Sequence, residues 1–310
     1  MGQKSWRGQI DYALQAIDQR GHSKHAAKRE HGHRPGQAVP GVFSDGYLNT
    51  VFDRAITLTH WITRHYPVIR QFSDLDPELI TEYLAEKAAT CEPQTVRTHL
   101  ACLRKLEEAL TARGWINEAI VPAEWAVDPT KVHRGAYAPD EAEAISDGIA
   151  RRDSQYGQAL AFIRSTGARI DEVFHLRGDK VFPNERRVEL LGKGGRTRRI
   201  QVLHPAVLVE LDRSRRFVYL EAGNERTWKN GLEDAVRDTA DRLDIQRRGV
   251  HGFRGTAATE FMQAKMDFMG ASEHEARREL AMWLGHNPQR TEVTYAYVSG
   301  VRSQQRASHR

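Results

Sequence analysis

Cysteine is nearly absent from this sequence: Cys91 and Cys102 are the only two among 310 residues. One pair, eleven positions apart in a helical pattern, is too little for a disulfide scaffold and fits two buried, reduced thiols. There is no run of about 18 apolar residues, which is what a membrane-spanning helix requires. The opening stretch Met1 to Arg7 has no apolar core of the secretory kind. Trp6 stands where a myristoylation signal needs Ser or Thr. These absences predict a cytoplasmic protein with no membrane partner. The chemistry-bearing residues include no carboxylate pair and no cluster with metal-ligand spacing. The glycine-rich run Gly192-Lys193-Gly194-Gly195 lacks the spacing of a P-loop and is not followed by a helix.

What is present is a mild excess of positive charge. Lys and Arg number 46 against 41 Asp and Glu, a formal net charge of +5. The sign favours a polyanionic partner such as nucleic acid, although many soluble chains are this basic. Hydrophobic residues make up 40%, enough for a packed core, and the length fits about two domains.

Residues 1–42 read as a basic arm. Lys4, Arg7, Arg20, Lys24, Lys28, Arg29 and Arg34 face only Asp11, Asp18 and Glu30, and Gly32, Pro35, Gly36, Pro40 and Gly41 interrupt any helix. A short apolar stripe from Ile10 to Ile17 can be helical. His22, His25, His31 and His33 lie in too polar a setting for a metal site, so the expectation is a flexible arm touching DNA phosphates. Residues 43–128 read as a helical domain. Leu48, Val51, Phe52, Ala55, Leu58 and Ile62 recur at helical spacing behind a Ser44 or Asp45 cap. Asp76-Pro77 opens a second helix, and Val96, Leu100, Leu103, Leu106 and Leu110 mark a third, ended by Gly114. The other face of that third helix carries Arg97, His99, Arg104 and Lys105, which is either a solvated face or a DNA contact.

Residues 129–136 have the composition of a linker, with Lys131 placed to cross a DNA backbone. From 137 to 310 the pattern is mostly helical with one small sheet. Strands are expected at Val181, Val188 to Leu191 and Arg199 to Leu203, the last two joined by the glycine-rich hairpin. A polar stretch from about Lys265 to Glu275 reads as an insert. The fold class is mainly α with a small β-sheet (α+β).

Five short pieces of the last domain carry the chemistry. Thr166-Gly167-Ala168-Arg169 sets an arginine after a glycine turn. Lys193 sits on the hairpin tip, with Arg196 and Arg198 following it. His251-Gly252-Phe253-Arg254 places His and Arg three apart at a helix start. Leu284-Gly285-His286 ends a helix, and Tyr295 follows nine residues after His286. Taken singly, each has a bland alternative: a surface charge, a solvated turn, a helix cap, a core aromatic. Together they are cations, imidazoles and a phenol. Two guanidiniums present planar donor forks matched to phosphate oxygens and can neutralise charge that metal nucleases neutralise with Mg²⁺. A phenol of pKa about 10 is a weak nucleophile unless arginines and a base activate it.

In order and spacing these pieces resemble the tyrosine recombinase (phage integrase) family: Arg, hairpin Lys, His-x-x-Arg, His, then Tyr. The resemblance spans roughly residues 137 to 300. It implies a helical core-binding DNA domain ahead of the catalytic domain and a nucleophilic Tyr295 that forms a 3′-phosphotyrosyl link. It also implies Arg169, Arg254 and His286 on the phosphate, His251 as base toward the tyrosine, Lys193 as acid toward the leaving oxygen, and Glu172 supporting Arg169. No cofactor is implied. The partner implied is double-stranded DNA bearing specific sites, bound by a homotetramer, with integration or excision of a mobile element as the purpose. Two departures stand out: Gly255 replaces a further histidine, and Ala296-Tyr297 follows the nucleophile in place of Thr-His, which makes Tyr297 a rival to Tyr295. Two other functions share these residues: a non-cutting DNA-binding regulator of the same fold, and a type IB topoisomerase or telomere-resolving enzyme.

Overall fold

The computed structural model describes residues 5–32, 38–126, 135–192, 195–219 and 224–298. The chain divides between Val132 and His133 into two compact units. The fold is mainly α with one small antiparallel sheet. Residues 129–134 of the expected linker, with Lys131, lie outside the described residues.

The first unit contains α1 (Trp6–Leu14), α2 (Lys24–Glu30), α3 (Asp45–His65), α4 (Pro77–Thr90) and α5 (Pro93–Ala112). Ser44 caps α3 by accepting from the Tyr47 amide, and Asp76 caps α4 by accepting from the Leu79 amide at 2.8 Å. Pro77 and Pro93 occupy first turns, where a missing N–H costs nothing. The apolar stripes of α3, α4 and α5 meet in one core holding Leu58, Ile62, Ile80, Leu84, Leu103 and Leu110.

The basic arm expected at residues 1–42 is not separate from this unit. Ile10, Ala13, Leu14, Ile17 and Val42 are buried in the same core. Gln9 fastens α1 by donating to the Arg70 carbonyl at 2.9 Å and accepting from the Phe72 amide at 3.2 Å. Lys105 donates to the Val39 carbonyl and to Glu108, both at 2.6 Å, and Glu108 also accepts from the Gly41 amide. The short apolar stripe therefore outweighs the basic composition around it. Residues 33–37, with His33 and Arg34, lie outside the described residues. Helix α2 buries nothing and displays Lys24, Lys28 and Arg29. Of the two thiols, Cys102 is buried and Cys91 only partly so; both are free.

The second unit begins with α6 (Pro139–Ala150), α7 (Ser154–Thr166) and α8 (Ile170–Phe174), followed by strands β1 (Val181–Phe182), β2 (Arg187–Leu191) and β3 (Thr197–Gln201). It ends with α9 (Glu225–Arg242), α10 (Gly249–Met269), α11 (Glu273–Trp283) and a 3₁₀ segment, Thr291–Ala296. The strands form an antiparallel sheet in the order β1-β2-β3, with Val188 opposite Ile200 and Leu190 opposite Arg198. Strand β3 starts two residues earlier than expected. Pro205 opens a four-residue 3₁₀ turn (Pro205–Leu208). The expected insert at 265–275 is mostly helix: α10 runs on to Met269 and stops at Gly270, whose φ of +65° suits glycine. Helix α10 is the hub, packed against α7, α9 and α11, and it buries Phe253, Arg254, Ala257, Ala258 and Met262.

Candidate active site

Helix α7 ends on Gly167 in the left-handed conformation, φ +58°. A Cβ here would stand 2.5 Å from the Trp283 ring, so only glycine permits this turn to lie against the end of α11. The turn delivers Arg169 to the N-cap of α8. Glu172, three residues on, accepts from the Arg169 amide at 2.8 Å and from its guanidinium at 3.0 Å. The same carboxylate, 2% exposed, accepts from Arg198 on β3 at 2.8 Å and lies 4.0 Å from Arg254. Burial alone would push the Glu172 carboxyl up, but Arg198, the Arg169 amide and Arg254 together hold it below the usual range. Glu172 thus buttresses three arginines.

Arg254, on α10, is 1% exposed. It donates to the Gly167 carbonyl and, at 2.7 Å, to the Leu284 carbonyl, joining the ends of α7 and α11. Its Nε is buried with no partner. Burial pushes its guanidinium down to about 10, Tyr297 opposes that shift, and Arg169 and Arg198 add to it; the group stays charged at neutral pH. Arg198 donates to the Trp283 carbonyl and to Glu172, and its Nε is likewise buried without a partner.

Gly285, φ +78°, turns the chain out of α11; a Cβ there would meet the Arg198 side chain at 3.0 Å and Arg169 at 3.7 Å. The turn carries His286 into the cluster, where its Nε2 is buried without a partner. Burial, then Arg254 and Arg169, push its imidazole down to about 4. His251, in the first turn of α10, keeps an open outer edge. Loss of hydration on its inner side, then Arg254 and Arg169, also push it down to about 4. Both imidazoles are neutral at pH 7.

The two tyrosines part company. The Tyr297 ring lies 5.3 Å from the His251 ring and 5.4 Å from the Arg254 guanidinium. Tyr295, 42% exposed, lies against Arg277 instead, its ring centroid 3.9 Å from that guanidinium. Spacing after His286 singles out Tyr295; the geometry brings Tyr297 to the cluster. The difference arises because the 3₁₀ segment Thr291–Ala296 advances about three residues per turn, so positions two apart face different ways.

Arg169, Arg198, Gly285 and His286 line an open cleft of about 1030 Å³, whose rim includes Gly192, Gly195 and the exposed Arg196. Lys193, expected at a hairpin tip, lies outside the described residues. Of the other expected DNA contacts, Lys105 is 6% exposed and committed to Val39 and Glu108. Arg104 donates to the Pro122 and Ala123 carbonyls, and Arg97 is half-buried. His99, on the same helix face, is 2% exposed and hydrogen-bonded to the Tyr83 hydroxyl at 2.8 Å. Arg198, expected on DNA, is instead a buried strut. Its position was legible: strand alternation puts it on the same face as Ile200.

Three guanidiniums surround the Glu172 carboxylate, and Arg198, Arg254 and His286 keep buried nitrogens without a partner; the cleft itself is lined by Arg169, Arg196, Arg198 and Lys229 together with Asp171, Glu172 and Glu225. Unpartnered donors of this kind fit an anion with several acceptor oxygens.

No protein-family model matches the sequence, and no curated protein matches it. Solved structures do match the fold. Lambda integrase (residues 75–356) bound to DNA gives a TM-score of 0.64 at 12% identity, covering 93% of this chain and 94% of that one. The XerH site-specific recombinase in a pre-cleavage complex with its difH substrate gives 0.59 at 12% identity, covering 100% and 97%. The Tn1549 transposon integrase in complex with transposon right end DNA gives 0.55 at 12% identity, covering 96% and 98%. At these identities the likeness establishes the fold.

Proposed function

We propose that this chain is a site-specific DNA recombinase that cuts and rejoins double-stranded DNA through a 3′-phosphotyrosyl intermediate, with Tyr297 as the nucleophile. The observation that carries the reading is the Tyr297 ring set against Arg254 and His251 beside buried donors that lack partners.

In this reading the scissile phosphate enters the cleft, and its non-bridging oxygens accept from Arg169, Arg254 and His286. The Tyr297 Oη attacks phosphorus while its proton passes to His251, which is neutral at pH 7 and so able to accept it. The bond from phosphorus to the 5′ oxygen breaks, and that oxygen takes a proton from Lys193. Glu172 touches no reacting atom; it holds Arg169 and Arg198 in place. The phosphodiester energy is kept in the tyrosyl ester, so a free 5′ hydroxyl of another strand can reverse the reaction and join there. Removing one phosphate donor costs on the order of 3 kcal/mol of barrier, by analogy with oxyanion holes. The assembly that acts is a homotetramer on two duplexes, and the purpose is integration or excision of a mobile element.

The test uses a plasmid carrying the DNA that flanks the coding sequence, in EDTA. The expected result is a covalent protein–DNA adduct with the wild type and with Tyr295→Phe, and none with Tyr297→Phe. An adduct from Tyr297→Phe but not from Tyr295→Phe would return the nucleophile to Tyr295. No adduct from any form, with binding intact, would favour a non-cutting DNA-binding protein.

A further inference from the structure

Helix α10 carries both His251 and Arg254, yet its N-cap residue, Arg248, makes no side-chain capping bond. The open amides at its start are met from elsewhere in the unit. The Tyr137 hydroxyl accepts from the Arg248 amide at 2.9 Å, and the Glu233 carboxylate, on α9, accepts from the Val250 amide at 3.1 Å. Tyr137 is 2% exposed. Its ring stands edge-on to Phe253, centroids 5.1 Å apart, and its carbonyl accepts from the Thr256 hydroxyl at 2.7 Å. One residue of the segment ahead of α6 thus holds α10 at Arg248, Phe253 and Thr256. The contact depends on two glycines. A Cβ at Gly252 would stand 2.6 Å from the Tyr137 ring, and one at Gly255 would stand 2.9 Å from the Ala136 Cα. Gly255 is the position where the recombinase pattern has a further histidine. Here the Ala136 backbone occupies the room that such a side chain would enter.

We infer that Tyr137 and Glu233 are positioning residues for the phosphate site: they fix the start of α10 and with it the placement of His251 and Arg254. The inference rests on the proposed chemistry at those two side chains. Neither Tyr137 nor Glu233 lines the cleft. Positions 248, 252, 255 and 256 share one face of the helix, and 251 and 254 lie on the face beside it. The segment therefore grips the back of the turn whose other side carries the base and a phosphate donor. Arg254 in turn bridges the Gly167 and Leu284 carbonyls, so a shift of this turn is passed to the ends of α7 and α11. A small misplacement of reacting groups lowers a rate steeply. Loss of either borrowed cap leaves a buried amide short of its acceptor and frees the first turn of α10 to move.

The experiment uses the full chain and two readouts. In the first, the protein carries ¹³C-labelled histidine, and the ring signal of His251, identified by its loss in His251→Gln, is recorded without DNA. It should keep its place in Glu233→Gln, whose amide oxygen still accepts. It should move or broaden in Tyr137→Phe, Glu233→Ala and Gly255→Ala. In the second, single-turnover adduct formation is followed on the plasmid carrying the flanking DNA. Tyr137→Phe and Glu233→Ala should slow it roughly tenfold and Gly255→Ala further, with Glu233→Gln near the wild type and DNA affinity within about twofold. Lys105→Ala, which weakens the other unit, should leave both readouts as in the wild type, which separates positioning from a general loss of stability. Tyr137→Phe keeps the ring against Phe253, so it decides the matter if Gly255→Ala fails to fold. A wild-type rate and an unmoved His251 signal in Tyr137→Phe and Glu233→Ala would overturn the inference. No adduct from any form, the wild type included, would fail the functional reading instead, and the His251 signal would still decide whether these residues set the start of α10.

Discussion

In the first unit Gln9, Thr59, His99 and Lys105 are buried, and each is hydrogen-bonded to a named partner. Arg54 Nε is the one buried side-chain nitrogen without a partner there, among the described residues. In the second unit Arg198 and His286 line one cleft and Arg254 lies 4.0 Å from the Glu172 carboxylate, and each of the three keeps a buried nitrogen without a partner; the Ser146 Oγ and the Arg187 Nε are buried without one as well. Leaving a buried polar atom unpaired costs about 1–3 kcal/mol. Among the described residues the first unit accepts that cost at Arg54 alone. The second accepts it on three neighbouring side chains, Arg198, Arg254 and His286, where an anion would supply the missing acceptors. The contrast separates polar groups that hold a fold from polar groups that wait for a ligand.

The largest test of that contrast is Arg254→Ala. We expect adduct formation to fall by roughly 10²–10³-fold, in line with the loss of one oxyanion donor. Arg254→Lys should fail to restore it, since an ammonium cannot reach both carbonyls and a phosphate. Retained cleavage in single-turnover assays would remove Arg254 from the phosphate site. In the first unit the equivalent truncation, Lys105→Ala, strands Glu108 and the Val39 carbonyl. It should lower unfolding stability by about 1–3 kcal/mol in urea titrations while the cleavage rate of the folded fraction stays unchanged. A cleavage defect at full stability would return Lys105 to DNA contact.

A smaller effect is expected from pH. His99, His251 and His286 each have an imidazole pushed down to about 4 from 6.5, in every case first by burial. Between those values the unfolded chain takes up protons that the folded chain refuses. Stability is therefore full above pH 6.5 and is lost as pH falls toward 4. Melting temperatures across that range should decline accordingly. Sulfate, filling the cleft, should recover part of the decline in the wild type and less in Arg254→Ala. Equal recovery in both would mean that the cleft does not bind the anion.

Much of this was legible in the residues. Thr166 to Arg169, His251 to Arg254 and Leu284 to His286 come together as their order suggested, because each lies at a helix end whose glycine or cap is visible in the sequence. Glu172 also hydrogen-bonds Arg169, the residue that the resemblance pairs it with. The basic arm was misread because charge counts say nothing about the four apolar residues, Ile10, Ala13, Leu14 and Ile17, that α1 and the turn after it bury. Lys105 and Arg198 were misread for a related reason: a cation on a helix or strand looks solvated until tertiary neighbours supply acceptors. The choice between Tyr295 and Tyr297 depends on the phase of a 3₁₀ turn and on a buried Arg277. Neither can be counted from His286, although Arg277 does fall on the buried face of α11 beside Ala276, Leu280 and Ala281.

The central claim is that the second unit holds a DNA phosphate and attacks it with Tyr297. Its most direct test is to trap the covalent adduct on the flanking-DNA plasmid, digest it with nuclease and protease, and find the modified peptide by mass spectrometry. The account predicts a nucleotide on Tyr297 and an unmodified Tyr295. A nucleotide on Tyr295 would contradict it.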